Sequence, residues 1–374
     1  MNKSLLLTFY LIIVLLGSNT VYSISKKENI KSKQITQTEF LIAKPNYQFS
    51  FPKDHFSHAN YALEWWYYTG NLRSKQGNKE FGYELTFFKV SFKPLAKPIY
   101  IAHFALSDLK NNEFKHFSKI NRDFLQMAGI EAKKNLIWNK TWSVKLEDNG
   151  KTHILKAQDK DIEINLNLQT SQSPVIHGVP GENISRKGNC ASCASHYYSL
   201  TNLKTKGQIT INSQIYEVTG KSWMDHEFGS NQLQNNQVGW DWFSLQFNDG
   251  SALMLYRLRE KNNKISSFSN GTYISREGKV KHLNQKDFFL KPKKNANWQS
   301  KKSKAIYPLI WEIIIPDLGL ALKVRPKMIN QEVVEQVNYW EGAVSVTDRL
   351  NGKKIGQGYL ELTGYDGNLN KIGI

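Results

Sequence analysis

The chain has 374 residues, a length that suits two domains. Hydrophobic residues make up 40% and aromatics 12%, which excludes a disordered chain, and two cysteines cannot staple a disulfide-built scaffold of this size. The net charge of +18 reflects 50 Lys and Arg against 32 Asp and Glu, but most lysines are scattered singly, as on a solvated surface.

In chain order, Met1-Asn2-Lys3 supplies a basic start, residues 5–17 are almost wholly apolar, and Val21-Tyr22-Ser23 offers a small-residue cleavage site. This reads as a secretory signal peptide over 1–23, with an apolar run too short for a comfortable bilayer span. The expected location is therefore the periplasm or the medium, where nucleic acid is a poor partner. Residues 24–49 are polar and Lys-rich, and read as a flexible leader.

From residue 51 onward the pattern is that of strands and hairpins. Residues 81–92, 99–106, 162–168, 208–218, 242–247, 310–315 and 343–346 alternate or are rich in β-branched and aromatic residues. Asn149-Gly150, Asn270-Gly271, Asn351-Gly352, Asp249-Gly250 and Asp366-Gly367 suit tight hairpin turns. No long capped helical pattern appears, so the expected class is all-β, barrel or sandwich. A faint repeat suggests duplication. Gly207 and Gly342 each open an alternating strand, and Gly220 and Gly356 follow. Three residues later come Trp223 and Tyr359, and two after those Asp225 and Glu361. The expected domains are 50–228 and 235–366.

Three aromatic-acid clusters stand out. In Glu64-Trp65-Trp66-Tyr67-Tyr68, a strand would put Glu64, Trp66 and Tyr68 on one face and Trp65 and Tyr67 on the other. This is either a Trp-rich barrel floor or a pocket wall for an apolar ligand. Trp223-Met224-Asp225-His226-Glu227 with Gly239-Trp240-Asp241-Trp242 combines carboxylates with indoles. An acid buried beside apolar rings stays protonated, and indole faces stabilise a cation formed by proton transfer; alternatively Asp225 caps a turn or pairs with an Arg. Tyr339-Trp340-Glu341-Gly342 with Tyr359-Leu360-Glu361 forms the third cluster, read as packing that closes a second barrel or as part of the ligand site. Cys190 and Cys193, in Cys-x-x-Cys-x-x-His with His196, suit a local disulfide, with free thiols or a metal site as alternatives. Lys291, Lys293, Lys294, Lys301, Lys302 and Lys304 gather around Trp298 as an exposed loop or a contact with an anionic envelope surface. There is no Gly-x-Ser-x-Gly elbow, zincin pattern or phosphate loop, and no cofactor is expected.

Taken together, Glu64 to Gly70, Trp223 to Glu227, Gly239 to Trp242 and Tyr339 to Gly342 resemble the hallmarks of the AttH-like proteins, a secreted-hydrolase-type group related to carotenoid 1,2-hydratase (hydroxyneurosporene synthase). The resemblance spans residues 50–366 and implies two lipocalin-like β-barrel domains with a ligand cavity in or between them. In the hydratase branch an Asp in a Trp-Asp-His context is the proposed proton donor to a terminal isoprenoid double bond, and Asp225 matches it. His196, Tyr198 and Trp223 match neighbouring site-shaping positions. Trp223-Met224 departs from that branch's aromatic pair, and the cysteine loop is additional. The expectation is an exported protein that binds a small lipophilic ligand, either as an acid-catalysed hydratase or hydrolase or as a non-catalytic carrier. Glu64, Trp66, Tyr68, His226, Trp240, Trp242, Tyr339, Trp340, Glu341 and Tyr359 are the expected ligand contacts.

Overall fold

The computed structural model describes residues 40–92, 97–230 and 233–367. The signal-peptide reading and residues 24–39 of the leader lie outside them. Residues 40–49 do not behave as a free leader. Leu41 N–H donates to Asn60 O at 2.8 Å, and Tyr47 stacks on His196 at 4.3 Å. The segment is tied across one end of the first sheet by Tyr47 and Phe49, whose rings outweigh its lysine charge.

The first sheet is formed by β1 (Leu63–Ser74), β2 (Glu80–Val90), β3 (Ile99–Asp108), β4 (Glu113–Arg122), β5 (Ala128–Glu131), β6 (Leu136–Asn139), β7 (Trp142–Glu147), β8 (Thr152–Asp159), β9 (Ile162–Gln169), β10 (Val175–Ile176), β11 (Ser185–Arg186), β12 (Ala194–Ile211) and β13 (Gln214–Gly229). Its order is β4-β3-β2-β1-β13-β12-β9-β8-β7-β6-β5, antiparallel throughout, with β10 and β11 paired to β12. The sheet curls until its edges meet. Asn139 Nδ2 donates to the carbonyls of Tyr100 and Lys119 at 3.2 Å, and Asn121 Nδ2 donates to Asn139 Oδ1 at 2.6 Å. These side-chain amides stand in for the ladder across the nearly closed seam.

The second sheet uses β14 (Gln237–Phe247), β15 (Ala252–Glu260), β16 (Asn270–Ile274), β17 (Val280–Asn284), β18 (Phe289–Pro292), β21 (Trp311–Ile315), β22 (Leu320–Pro326), β23 (Glu332–Val334), β24 (Asn338–Asp348) and β25 (Lys354–Thr363). A small hairpin of β19 (Asn297–Gln299) and β20 (Ile306–Pro308) stands apart. The order β17-β16-β15-β14-β25-β24-β22-β21-β18 repeats that of the first sheet, with β14 in the place of β1 and the hairpin β24-β25 in the place of β12-β13. The sequence repeat falls on those two hairpins, so Asp225 and Glu361 occupy corresponding positions. Among the described residues only three-residue 3-10 turns are helical, and the chain is all-β: a nearly closed barrel and a half-barrel of lipocalin-like type.

Of the five Gly pairs, Asn149-Gly150, Asp249-Gly250 and Asn351-Gly352 turn hairpins with positive φ at Gly. Asn270-Gly271 does not. It opens β16, where a Cβ on Gly271 would collide with the Leu255 side chain across the ladder. The run 208–218 is not one strand either, because Asn212 and Ser213, both at positive φ, turn it from β12 into β13.

Each sheet has its own core. Trp66, Tyr68, Phe104 and Trp142 fill the first, and Phe243, Trp311 and Trp340 the second. A third apolar layer lies where the outer faces of β1, β2, β12 and β13 meet those of β14, β15, β24 and β25; it contains Tyr67, Tyr197, Trp223, Trp242, Met254, Ala343 and Tyr359. There Gly82 lets the sheets approach, for its missing Cβ would lie 2.6 Å from the Tyr359 hydroxyl.

Candidate functional site between the sheets

Strand alternation divides the candidate residues between two places. Opposite partners in an antiparallel ladder share a face. Tyr67 lies opposite Asp225, and Asp225 lies opposite Ser199. These side chains, with Trp223, Tyr197 and Thr69, point into the layer between the sheets. Trp66 lies opposite His226, and His226 opposite Tyr198, so those three face the first barrel's interior with Glu64, Tyr68 and His196. His196 and Tyr198 therefore do not flank Asp225 as the resemblance implied. Their neighbours Tyr197 and Ser199 do, because adjacent residues on a strand point to opposite sides.

Asp225 is 4% exposed and accepts three hydrogen bonds. Tyr197 OH donates to Oδ2 at 2.5 Å, Trp223 Nε1 donates to Oδ1 at 2.6 Å, and the Ser199 hydroxyl also donates to Oδ1. Among the described residues no basic side chain forms an ion pair with it. Burial pushes its carboxyl up to about 7, against the opposing pull of these donors. The network reaches both sheets. Trp242 Nε1 donates to Tyr197 OH at 3.1 Å, and His177 bridges Ser199 Oγ at 2.6 Å to Thr272 Oγ1 at 2.9 Å. Trp223 and Trp242 meet edge to face at 6.4 Å, and Tyr67 meets Trp242 at 5.2 Å.

Further carboxyls share this layer. Tyr67 OH donates to Glu341 Oε1 at 2.6 Å, while Glu341 Oε2 has no partner among the described residues and the residue is 1% exposed. Thr86 Oγ1 donates to Glu84 Oε1 at 2.9 Å, and Tyr339 OH, held by His103 Nδ1 at 2.6 Å, donates to the same oxygen at 3.1 Å. Burial raises Glu84 to about 8, Glu361 to about 7, and Glu341 well above the carboxylate range, with repulsion from Glu361 adding to it for Glu84 and from Glu84 and Glu361 for Glu341. Thr69 Oγ1, 1% exposed, is also unpartnered. A layer holding protonated acids, indole faces and orphaned acceptors can deliver a proton and hold a hydroxyl or water.

Glu227 is different, because it meets the ammonium of Lys187 and the Ser195 hydroxyl. So is Asp241, which sits inside the second barrel between Arg257 at 2.7 Å and Arg259 at 3.3 Å and is structural. Trp340 fills the second core rather than the site, whereas Tyr339, Glu341 and Tyr359 face the layer and Trp240 packs on its rim.

The first barrel encloses a separate polar cluster. Glu64 is buried and accepts from Lys89 Nζ at 2.9 Å, with His58 Nδ1 at 2.7 Å and His226 Nε2 at 3.0 Å. His58, Glu64 and His226 could offer a metal one ligand atom each. They already satisfy one another, however, and the Lys89 ammonium occupies the carboxylate's other oxygen. Burial opposes ionisation, yet the hydrogen bonds of His226 and His58 and the Lys89 charge hold the Glu64 carboxyl well below its usual range. Trp66 stacks on His226 at 4.6 Å, and Tyr68 OH meets His153 Nδ1 at 2.9 Å. Cutting the Lys89 contact leaves a buried charge uncompensated. Lys89→Met is expected to cost about 3 kcal/mol, read by denaturant unfolding; a loss below about 1 kcal/mol would mean that the pair behaves like a surface ion pair.

Cys190 and Cys193 are joined as a disulfide with their Cα atoms 5.1 Å apart. The six lysines of residues 291–304 are exposed. Sequence reasoning passed over Tyr67, Glu84, Tyr197, Ser199 and His177 as site residues. Glu84 carried no usable signal, since alternation sets it with Gly82 and Thr86 on the face opposite Phe81, Tyr83, Leu85 and Phe87, and such a face ordinarily meets solvent.

A family profile described as AttH-like matches residues 42–365. A search of curated proteins found no match. Among solved structures, one from Nitrosomonas europaea assigned to AttH is 30% identical with a TM-score of 0.79, covering 87% of this chain and 99% of its own. Kievitone hydratase from Nectria haematococca is 14% identical with a TM-score of 0.65 over 87% of this chain and 98% of its own. CghA bound to Sch210972 is 11% identical with a TM-score of 0.55 over 88% and 98%. The last two share the fold alone. A profile that spans every Trp-rich motif, joined to a near-complete structural match, means that the chain belongs to the AttH-like family.

Proposed function

We propose that this protein is a hydratase or hydrolase that acts on an apolar, isoprenoid-type substrate by proton transfer from Asp225. The observation that carries the reading is a buried carboxyl, raised to about 7, that accepts from Trp223, Tyr197 and Ser199 and, among the described residues, makes no ion pair. The Asp225 O–H bond breaks, its proton adds to one olefinic carbon, and the neighbouring carbon becomes cationic. Indole and phenol rings face that charge, at roughly 0.5–2 kcal/mol each. A water oxygen then bonds to the cation, and its proton returns to the Asp225 carboxylate. Neutral Glu341 can donate its Oε2–H to that water and the Thr69 hydroxyl can bond it, and neither atom has a partner among the described residues. The same acid would protonate a leaving group in a hydrolysis. That one fold relative is a hydratase agrees with this class of chemistry.

We place the reaction outside the cytoplasm. The apolar stretch 5–17 and the Cys190–Cys193 disulfide both support an exporting, oxidising setting. The test is incubation of the exported protein with squalene and with geranylgeraniol in oxygen-18 water. Labelled alcohol is expected from one of them. Recovery of the polyene bound but unchanged would replace the enzyme with a carrier of lipophilic molecules.

A further inference from the structure

The four strands that carry Tyr67, Asp225, Trp242 and Glu361 run on to a cleft of about 320 Å³ at the far end of the same seam. Arg73, Lys221, Lys327 and Lys354 line it, against Glu80 as its one carboxylate, a surplus of three positive charges in a concave space. The four cations come from β1, β13, the segment after β22, and β25, so only the tertiary fold brings them together.

Lys327 is the best-buried of them, with its side chain 10% exposed. Its Nζ lies 3.4 Å from Glu80 Oε2 and 3.2 Å from Gln357 Oε1, and Glu80 is shared with Arg73 Nη2 at 3.0 Å. Half a carboxylate does not neutralise a buried ammonium. Burial, with Lys354 and Arg73 adding repulsion, pushes Lys327 down to about 8. Asn71, which also lines the cleft, is 4% exposed; its Nδ2 donates to Gly358 O at 3.0 Å, but its Oδ1 is buried without a donor. The cleft thus asks for negative charge beside Lys327.

We propose that this cleft is a binding site for an oxyanion, of which hydrogen phosphate is the simplest example. A phosphate group offers several acceptors to Lys327, Lys221 and Arg73. Two sources share that chemistry: a free phosphate, and the phosphate head of an amphiphile whose apolar tail follows the strands inward.

The test is calorimetric titration of the full mature protein with inorganic phosphate, octyl phosphate and octanol. Saturable one-to-one binding of phosphate is expected. Lys327→Gln should weaken it about tenfold or more, and Glu80→Gln should tighten it. Exposed Lys354→Gln should weaken it by a smaller factor, which keeps the test valid if Lys327→Gln misfolds. The double variant Lys301→Gln, Lys302→Gln in the exposed lysine loop should leave it unchanged. Octyl phosphate binding about tenfold or more tighter than phosphate assigns the site to an amphiphile head, and equal binding assigns it to the free anion. Failure of both to saturate, or binding insensitive to Lys327→Gln and Lys354→Gln, overturns the site. Binding is read without turnover, so neither result depends on Asp225.

Discussion

Asp225→Asn will abolish turnover and leave the protein folded. The geometry explains why the two effects separate. Ser199 and Trp223 both donate to Oδ1, and Tyr197 alone donates to Oδ2. The indole N–H can only donate, so the asparagine carbonyl oxygen will take the Oδ1 position. The amide NH2 then faces Tyr197, whose hydroxyl oxygen can accept from it. Ser199, Trp223 and Trp242 keep their acceptors and only the Tyr197 O–H loses its own, so the stability cost should be about 1–3 kcal/mol. What disappears is the transferable proton. General acid catalysis is commonly worth about 10²–10⁴-fold, and oxygen-18 incorporation should fall by that factor while the polyene still binds. A variant that keeps its rate would make Asp225 a structural residue. One that unfolds would mean the rearrangement of Tyr197 is blocked, and Asp225→Glu would then be needed to separate acid from shape.

Stability will peak near neutral pH and fall on both sides, for two different reasons. On the alkaline side the groups are Asp225 and Glu361 near 7, Glu84 near 8, and Glu341 higher. Their unfolded forms ionise near pH 4, so above that pH the folded state holds protons the unfolded state has lost. That favourable term is complete below the unfolded values and is lost as pH rises through the folded ones. Between about pH 6.5 and 8 the loss should total about 4 kcal/mol, at 1.4 kcal/mol per unit for a fully shifted group. On the acid side, burial lowers His55 to about 3 and His103 and His153 to about 4, and it also lowers His177. These rings are neutral in the fold and cationic in the unfolded chain below about pH 6.5, so their term vanishes as pH falls. Glu64 and Asp54, held low, matter only at still lower pH. Guanidinium unfolding from pH 5 to 9 measures both limbs. Glu84→Gln with Glu341→Gln should flatten the alkaline limb and steepen the acid one, because the same carboxyls otherwise gain stability as pH falls toward 4 and offset part of the histidine loss. An alkaline limb that survives the double substitution would locate its origin outside the carboxyl layer.

The sequence by itself determined the all-β class, the hairpin turns at Asn149-Gly150, Asp249-Gly250 and Asn351-Gly352, and the family. Alternation also determined that Asp225 and Trp223 share a side, as do Glu64, Trp66 and Tyr68. These are local properties: φ at a turn, and a period of two along a strand. Alternation names the residues on a face but not what that face meets. His196 and Tyr198 belong by sequence to the Asp225 neighbourhood, yet they face into the first barrel, and Tyr197 and Ser199 take their place. Only the packing of one sheet's outer face on the other brings Tyr67 to Glu341 and Trp242 to Tyr197, and only the seam's far end gathers Arg73, Lys221, Lys327 and Lys354 around Glu80. Contacts across hundreds of residues are set by how two folded surfaces fit, and no short-range pattern in the chain encodes that fit.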